Sequence, residues 1–337
     1  MTTLGVLWFA LVGVLLAGYA LFDGFDLGLG TLYPFLAKNE DEKEVMRSSI
    51  GPVWDGNEVW LLTGGGAIFA AFPNVYATVF SGFYLALMLV LFALIFRAVS
   101  FEFYAHDPAW RGVWDKAFFL GSALPALLFG VAAGNIVRGV PLDKMGEFTG
   151  NFFTLLNPYA LVLGILGLVM FMWQGAAWLA IKSENALYDR AVKTRSLMAW
   201  VFVVLVLLAT LATFLLVPRA ASQVLASPFG WVFIVLLLVS MAWGRFVHGG
   251  KDLHSWYAAS LAPIALIGLW AVSIFPRLVP AINDDALSLT VANSASSQLT
   301  LTVMTIIAVI GVPLVLFYIF LVYRIFAGKV RVGGEGY

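Results

Sequence analysis

Long apolar runs decide what this chain can be. Nine segments, 4–35, 52–72, 76–103, 115–137, 158–181, 198–217, 229–244, 258–275 and 300–326, approach or exceed the roughly 20 residues a helix needs to cross a bilayer. Lipid offers the backbone no hydrogen bonds, so a spanning segment must be a helix or part of a closed barrel. These runs are too long and too uniformly apolar for barrel strands. The expectation is an all-α integral membrane protein with nine transmembrane helices. Composition agrees: 62% of the 337 residues are apolar and 11% charged, against about 25% charged in aqueous domains. The seventh run is short and the first and ninth are long, which tilt or re-entry can accommodate. The N-terminus lacks the basic start and the cleavage site of a signal peptide, so the first run is expected to be retained.

Basic residues give the orientation. Taking alternate connections from 36–51 onwards, with the C-terminal tail, one side collects fifteen of the 19 lysines and arginines. That total includes Arg97, Lys182, Arg190, Lys193, Arg195 and Arg331. The other side has Arg138, Lys144, Arg219 and Arg277. The positive-inside rule then places the N-terminus outside and the C-terminus in the cytoplasm. The external connections 138–157 and 276–299 are rich in Gly, Asn, Ser and Pro and are expected to form ordered caps. Eight spans can pair as two four-helix groups, about 4–137 and about 158–275, within one membrane domain, 1–337. The last helix, about 300–326, is then peripheral. No internal repeat is visible.

Acids inside these runs carry the chemistry. Asp23 and Asp26 sit within the first span, Asp55 and Glu58 open the second, and Glu102 closes the third. A charged side chain at the bilayer centre costs about 2.5–3.5 kcal/mol, and intramembrane acids are functional by default. Each pair is spaced i, i+3 and so shares a helix face. The topology gathers all five at the cytoplasmic side, in one expected wet pocket, where they form a candidate proton relay. The structural alternative is that they cap helix ends or pair with Arg97 and lysines. Arg97 and Glu102, five apart, do not face one another, so Arg97 needs a partner on another helix or snorkels. Gly24, Gly28 and Gly30, like Gly64–Gly66, read chiefly as sites of close helix approach. The other reading is a loosened helix lining a site.

Other chemistries lack residues. There is no cysteine, which excludes disulfides and iron–sulfur clusters. His106, His248 and His254 all fall in connections expected to be cytoplasmic, so the chain supplies no usual haem ligand at depth. No metal-type cluster and no catalytic triad is visible. Zero net charge gives no reason to expect nucleic acid. Most tryptophans read as interfacial. Trp54, beside Asp55, reads as an anchor or as a quinone contact.

Five stretches resemble subunit II, the non-haem subunit, of the cytochrome bd-type ubiquinol/menaquinol oxidases. They are Asp23-Gly-Phe-Asp-Leu-Gly28, Trp54-Asp-Gly-Asn-Glu-Val-Trp60, Ser81-Gly-Phe-Tyr84, Gly150-Asn-Phe-Phe-Thr-Leu-Leu-Asn-Pro158 and Ser296-Ser-Gln-Leu-Thr-Leu-Thr-Val-Met-Thr305. They run in order along nearly the whole chain. The resemblance implies nine spans in two four-helix bundles plus one extra helix, in a prokaryotic cytoplasmic (inner) membrane. It implies a heterodimer with a haem-bearing subunit I, which holds haem b and haem d, oxidises quinol at the outer face and reduces oxygen to water. It also implies a bound quinone or lipid, with Trp54 near the quinone of some members, and leaves room for a small single-helix accessory subunit. The resemblance implies that Asp55 and Glu102 deliver cytoplasmic protons to subunit I; the placement of Glu58, Asp23 and Asp26 adds them to that path, Glu58 as a sharer and the two aspartates as its extension or electrostatic support. Glu102 stands where some members have Asp, Glu58 where some have Gln, and Val53 where some have His.

The rival reading is a cation- or proton-coupled secondary transporter, which shares glycine-interrupted helices and buried acids. It calls for a two-fold repeat and paired broken helices, and neither is visible. An inert scaffold for subunit I is a third reading, if the acids are salt-bridged.

Overall fold

The computed structural model describes residues 1–246 and 251–330. His248 and Arg331 lie outside the described residues. The first half comprises α1 (Thr3–Phe22), α2 (Gly24–Leu36), α3 (Glu40–Ser48), α4 (Trp54–Ala71), α5 (Pro73–Gly82), α6 (Tyr84–His106) and α7 (Arg111–Arg138). The second comprises α8 (Pro158–Lys182), α9 (Asn185–Leu216), α10 (Pro218–Ala226), α11 (Pro228–Phe246) and α12 (Asp252–Ile274). A two-stranded antiparallel ribbon follows, β1 (Arg277–Val279) with β2 (Leu289–Thr290), then α13 (Val291–Ser294) and α14 (Gln298–Ile325).

Local chemistry sets the helix starts. The Thr2 hydroxyl accepts from the Gly5 N–H, Asn39 from Glu42, Asn157 from Ala160 and Ser297 from Thr300, each satisfying an otherwise orphaned donor. Proline stands first in α5, α8, α10 and α11, where no N–H is needed.

Among the described residues, eight helical segments are long and apolar enough to cross a membrane. The expected second span, 52–72, is helical as α4, but Asp55, Asn57, Glu58 and four glycines leave it too polar to count by composition. The expected run 76–103 is not one helix. It divides at Phe83 into α5 and α6, after Pro73 has already started α5. The first span is interrupted at Asp23, although α2 continues the hydrogen-bonded path through Asp23 N to Tyr19 O and Leu27 N to Asp23 O. Several helices outrun their apolar stretches because charged turns continue them. Lys182 ends α8, while Arg190, Lys193 and Arg195 lie in α9 rather than in a connection. Arg97 likewise lies within α6, so it does not belong in the count of connection charges.

The ends of the bundle are tied differently. At one, 138–157 and 276–299 lock together: Val140 N donates to Pro280 O (2.9 Å), Asn283 Nδ2 to Leu142 O (2.7 Å) and Thr78 Oγ1 to Gly146 O (2.7 Å). Arg277 grips Asp285 through both Nε (2.6 Å) and Nη2 (2.5 Å) there. At the other, Arg47 is buried and donates to Tyr33 Oη (3.1 Å), Ser100 O (3.2 Å) and Asp115 Oδ1 (3.2 Å), while Lys43 reaches Asp115 Oδ2 (2.8 Å). The tail after α14 closes on this same end, with Lys182 Nζ on Phe326 O (2.5 Å) and Lys329 Nζ on Ser183 O (2.6 Å).

α8 is the central post, packed against α2, α7, α9 and α12. Its approach to α2 is backbone to backbone. A Cβ on Gly28 would collide with the Phe171 carbonyl, and one on Gly175 with the Gly28–Leu29 peptide. The Gly64–Gly66 expectation fails: a Cβ on Gly66 meets nothing within 4 Å, and at Gly64 and Gly65 the contacts are ordinary. α14 is peripheral, resting on α1 and α4 with Leu301 its buried residue.

Two predictions follow from packing and charge. Gly28→Ala should destabilise by about 1–3 kcal/mol through overpacking, whereas Gly66→Ala should be neutral or stabilise by up to about 1 kcal/mol. Equal melting temperatures for the two variants would contradict this packing. Hydrogen bonds from Arg277 hold the Asp285 carboxyl below its ordinary value. Its small contribution is therefore present above pH about 4 and lost as pH falls through the lower folded value. The melting difference between wild type and Asp285→Asn should shrink between pH 6 and pH 3.

Candidate functional site

Three of the acids meet at Arg97. Its guanidinium forks onto Asp23, Nη2 to Oδ1 at 3.0 Å and Nη1 to Oδ2 at 3.4 Å. Nη1 also donates to Glu58 Oε1 at 3.0 Å, and Nη2 lies 4.0 Å from Asp26 Oδ2. Arg97 therefore finds partners on other helices and does not snorkel. Asp23, Asp26 and Arg97 are almost wholly sealed, whereas the Glu58 side chain keeps 23% of its surface exposed. Glu58 is thus the edge of the cluster.

The backbone makes this meeting possible. The interruption at Asp23 still leaves Asp23 and Asp26 on one side of the first span. α7 comes close to α6 at Gly121, where a Cβ would lie 2.6 Å from Ala93 O and 2.8 Å from the Arg97 backbone. Substitution there would displace the turn that carries the guanidinium.

A polar chain leads away from the pair. Asn57 Nδ2 donates to Asp26 Oδ2 (2.7 Å), and Tyr323 Oη of α14 donates to Asn57 Oδ1 (3.2 Å). Asp26 Oδ1 and Arg97 Nε have no hydrogen-bond partner among the described residues. Asn57 stood inside a motif already singled out, between two acids. Tyr323 gave no sequence signal, being 266 residues away. The Arg47–Asp115 clamp was also missed, because each residue reads as an ordinary charge in a connection.

Asp55 and Glu102 do not join the buried group. Both are exposed, and among the described residues their carboxylates make no hydrogen bond or ion pair. The expected single wet pocket of five acids is thus corrected to three clustered at Arg97 and two at the surface. The two are still neighbours of a kind, because Trp54 stacks on Phe101 with ring centroids 5.5 Å apart. Asp55 and Glu102 each follow one member of that stack in sequence, on α4 and α6. Trp54 is half-buried against this ring.

The profile of the cytochrome bd terminal oxidase subunit II family matches residues 4–326. The chain belongs to that family. It is 37% identical to subunit 2 of the cytochrome bd-I ubiquinol oxidase of Escherichia coli K12, over 93% of this chain and 91% of that protein. It is 35% identical to cytochrome bd ubiquinol oxidase subunit 2 of Bacillus subtilis, over 94% of each. The fold resembles a chain of the bd oxidase from Geobacillus thermodenitrificans, with a TM-score of 0.79 at 15% identity, covering 96% of this chain and 99% of that one. Membership makes the chain a multi-pass membrane component of a quinol oxidase and leaves the transporter reading unfavoured.

A cytochrome complex implies haem, and the two described histidines of this chain make contacts of their own. His106 Nδ1 sits 2.9 Å from Glu102 O at an exposed helix end, and His254 lies against Trp243. Buried Met46 and Met170 are embedded in apolar clusters. Among the described residues no group of three or more His, Cys, Asp or Glu is placed to hold a metal.

Arg97→Met would strand buried carboxyls without their cation. A loss of about 3–5 kcal/mol is expected, visible as a lower melting temperature or failed assembly. Adding Asp23→Asn should recover part of it. A double variant no better than Arg97→Met alone would argue against the pairing.

Proposed function

We propose that this chain is the non-haem subunit II of a bd-type quinol oxidase in a prokaryotic inner membrane, and that it carries protons from the cytoplasmic side to a haem-bearing subunit I. Subunit I would hold haem b and haem d and perform quinol oxidation and oxygen reduction. The arrangement proposed is nine spans, with α4 crossing as the ninth, the N-terminus outside and the C-terminus inside. Two four-helix groups form its body and α14 its peripheral helix.

One observation carries the proton role. A single guanidinium faces three carboxyl groups in a low-dielectric interior, and Glu58 opens that cluster towards the surface. Full ionisation of all three acids would leave uncompensated buried charge, which a shared proton relieves. Asp55 stands one turn before Glu58 on α4, and Glu102 follows Phe101, the ring on which Trp54 stacks, on α6. The proposed order is Glu102 and Asp55 as collectors, then Glu58, with Asp23, Asp26 and Arg97 as the buried charge reserve. Protons released by quinol leave outside while those used by oxygen come from inside, so charge separates without a pump. Trp54, half-exposed on the same face, is proposed as the quinone contact.

The scaffold reading draws support from the Arg97 ion pairs, since a saturated pair can simply fasten helices together. It accounts for Asp23 and Glu58, whereas Asp55 and Glu102 form no ion pair among the described residues.

Asp55→Asn and Glu102→Gln, in the intact complex, should each lower oxygen consumption and acidification coupling, by about tenfold or more for a lost proton-transfer group. The optical spectrum of the haems should be unchanged. Full turnover and full coupling in both variants would remove the proton role. A colourless protein purifying alone would remove the oxidase pairing itself.

A further inference from the structure

Basic residues are scarce at the end of the bundle formed by 138–157 and 276–299, yet three of them, Arg138, Arg219 and Arg277, line one cavity of about 640 Å³. Its walls are the last residues of α7 and α9, the first of α8 and α10, and the segment 281–285. Two carboxylates also line it, and both are engaged. Asp285 takes the two-pronged grip of Arg277, and Asp284 Oδ1 accepts the Ala286 N–H at 3.0 Å.

The other two guanidiniums are left with unused donors. Arg138 has no hydrogen bond or ion pair among the described residues. Arg219 gives only Nη2 to the Val137 carbonyl, at 3.3 Å. Burial, and then the like charge of Arg277, push the Arg219 guanidinium below its ordinary pKa, while Asp285 acts in the opposite sense. A planar guanidinium presents a fork of donors that matches tetrahedral oxyanions in pairs.

The cavity lies where membrane-crossing helices end. Leu215 and Leu216 close α9 at 70% and 60% exposure, and Trp231 near the start of α11 is 53% exposed. Such residues mark the level between acyl chains and water.

We propose that this cavity is a binding site for a phosphate group held between Arg138 and Arg219. At this depth the phosphate comes from a phospholipid headgroup, with acyl chains along the exposed leucines of α9, or from free inorganic phosphate.

The test uses the intact oxidase complex in detergent, titrated separately with phosphatidylglycerol, diacylglycerol and inorganic phosphate, with thermal stability as the readout. Saturable stabilisation by phosphatidylglycerol or by phosphate, and none by diacylglycerol, is expected. Response to phosphatidylglycerol alone assigns a lipid, and response to phosphate alone assigns the free ion. Arg138→Gln and Arg219→Gln should each weaken the apparent affinity about tenfold, as loss of a charge-assisted pair does. Lys144→Gln, the remaining basic residue of this end and not part of the cavity wall, should leave it unchanged. Arg138→Gln breaks no side-chain hydrogen bond or ion pair among the described residues, so the folded variant remains available even if Arg219→Gln fails to assemble. Absence of saturable binding by either phosphate probe, equal stabilisation by diacylglycerol, or unaltered affinity in Arg138→Gln overturns the proposal.

Discussion

One guanidinium holds the first third of this protein in register. Arg97 is sealed inside α6 and joined to α1–α2 through Asp23 and to α4 through Glu58. A lone cation there would be prohibitive in lipid, and so would two lone aspartates. Each makes the other tolerable, and only in one relative placement of three spans. The close backbone approaches serve that placement: Gly121 brings α7 onto the Arg97 turn, and Gly28 with Gly175 sets α2 on the central post α8.

The charges around Arg97 are not balanced, and the imbalance has a direction. Asp23 is fully gripped, Asp26 is reached at 4.0 Å and answered mainly by Asn57, and Glu58 keeps one edge to the outside. Exposure, not pairing, changes along the group: Asp23 and Asp26 are buried, while Glu58, still held by Arg97 at 3.0 Å, reaches the surface. His106 and His254 take no part in it and make contacts of their own.

Much of this was legible in the sequence, for reasons that differ by residue. Run length alone located most helices, because lipid forces helical hydrogen bonding wherever apolar residues persist. Arg97 announced a partner elsewhere, because its spacing from Glu102 ruled out its own helix. The i, i+3 rule put Asp55 and Glu58 on one face, but not which turn enters the bundle. Depth along α4 separates them, and depth depends on how α4 meets α6. The distant Tyr323 was invisible, because its place beside Asn57 depends on tertiary packing across 266 residues. Gly64–Gly66 misled because three glycines in a helix look the same whether or not a neighbour is present.

The polar chain from Asp26 through Asn57 to Tyr323 joins the first span to the last. During synthesis its members reach the membrane at widely separated times. The opening helix leaves the ribosome with two aspartates, gains its cation only when Arg97 emerges, and has the chain completed only as the final helix arrives. Biogenesis of this subunit is therefore a matter of sheltering an acidic hairpin until the rest has been made, and the insertion machinery, not the finished fold, bears that burden.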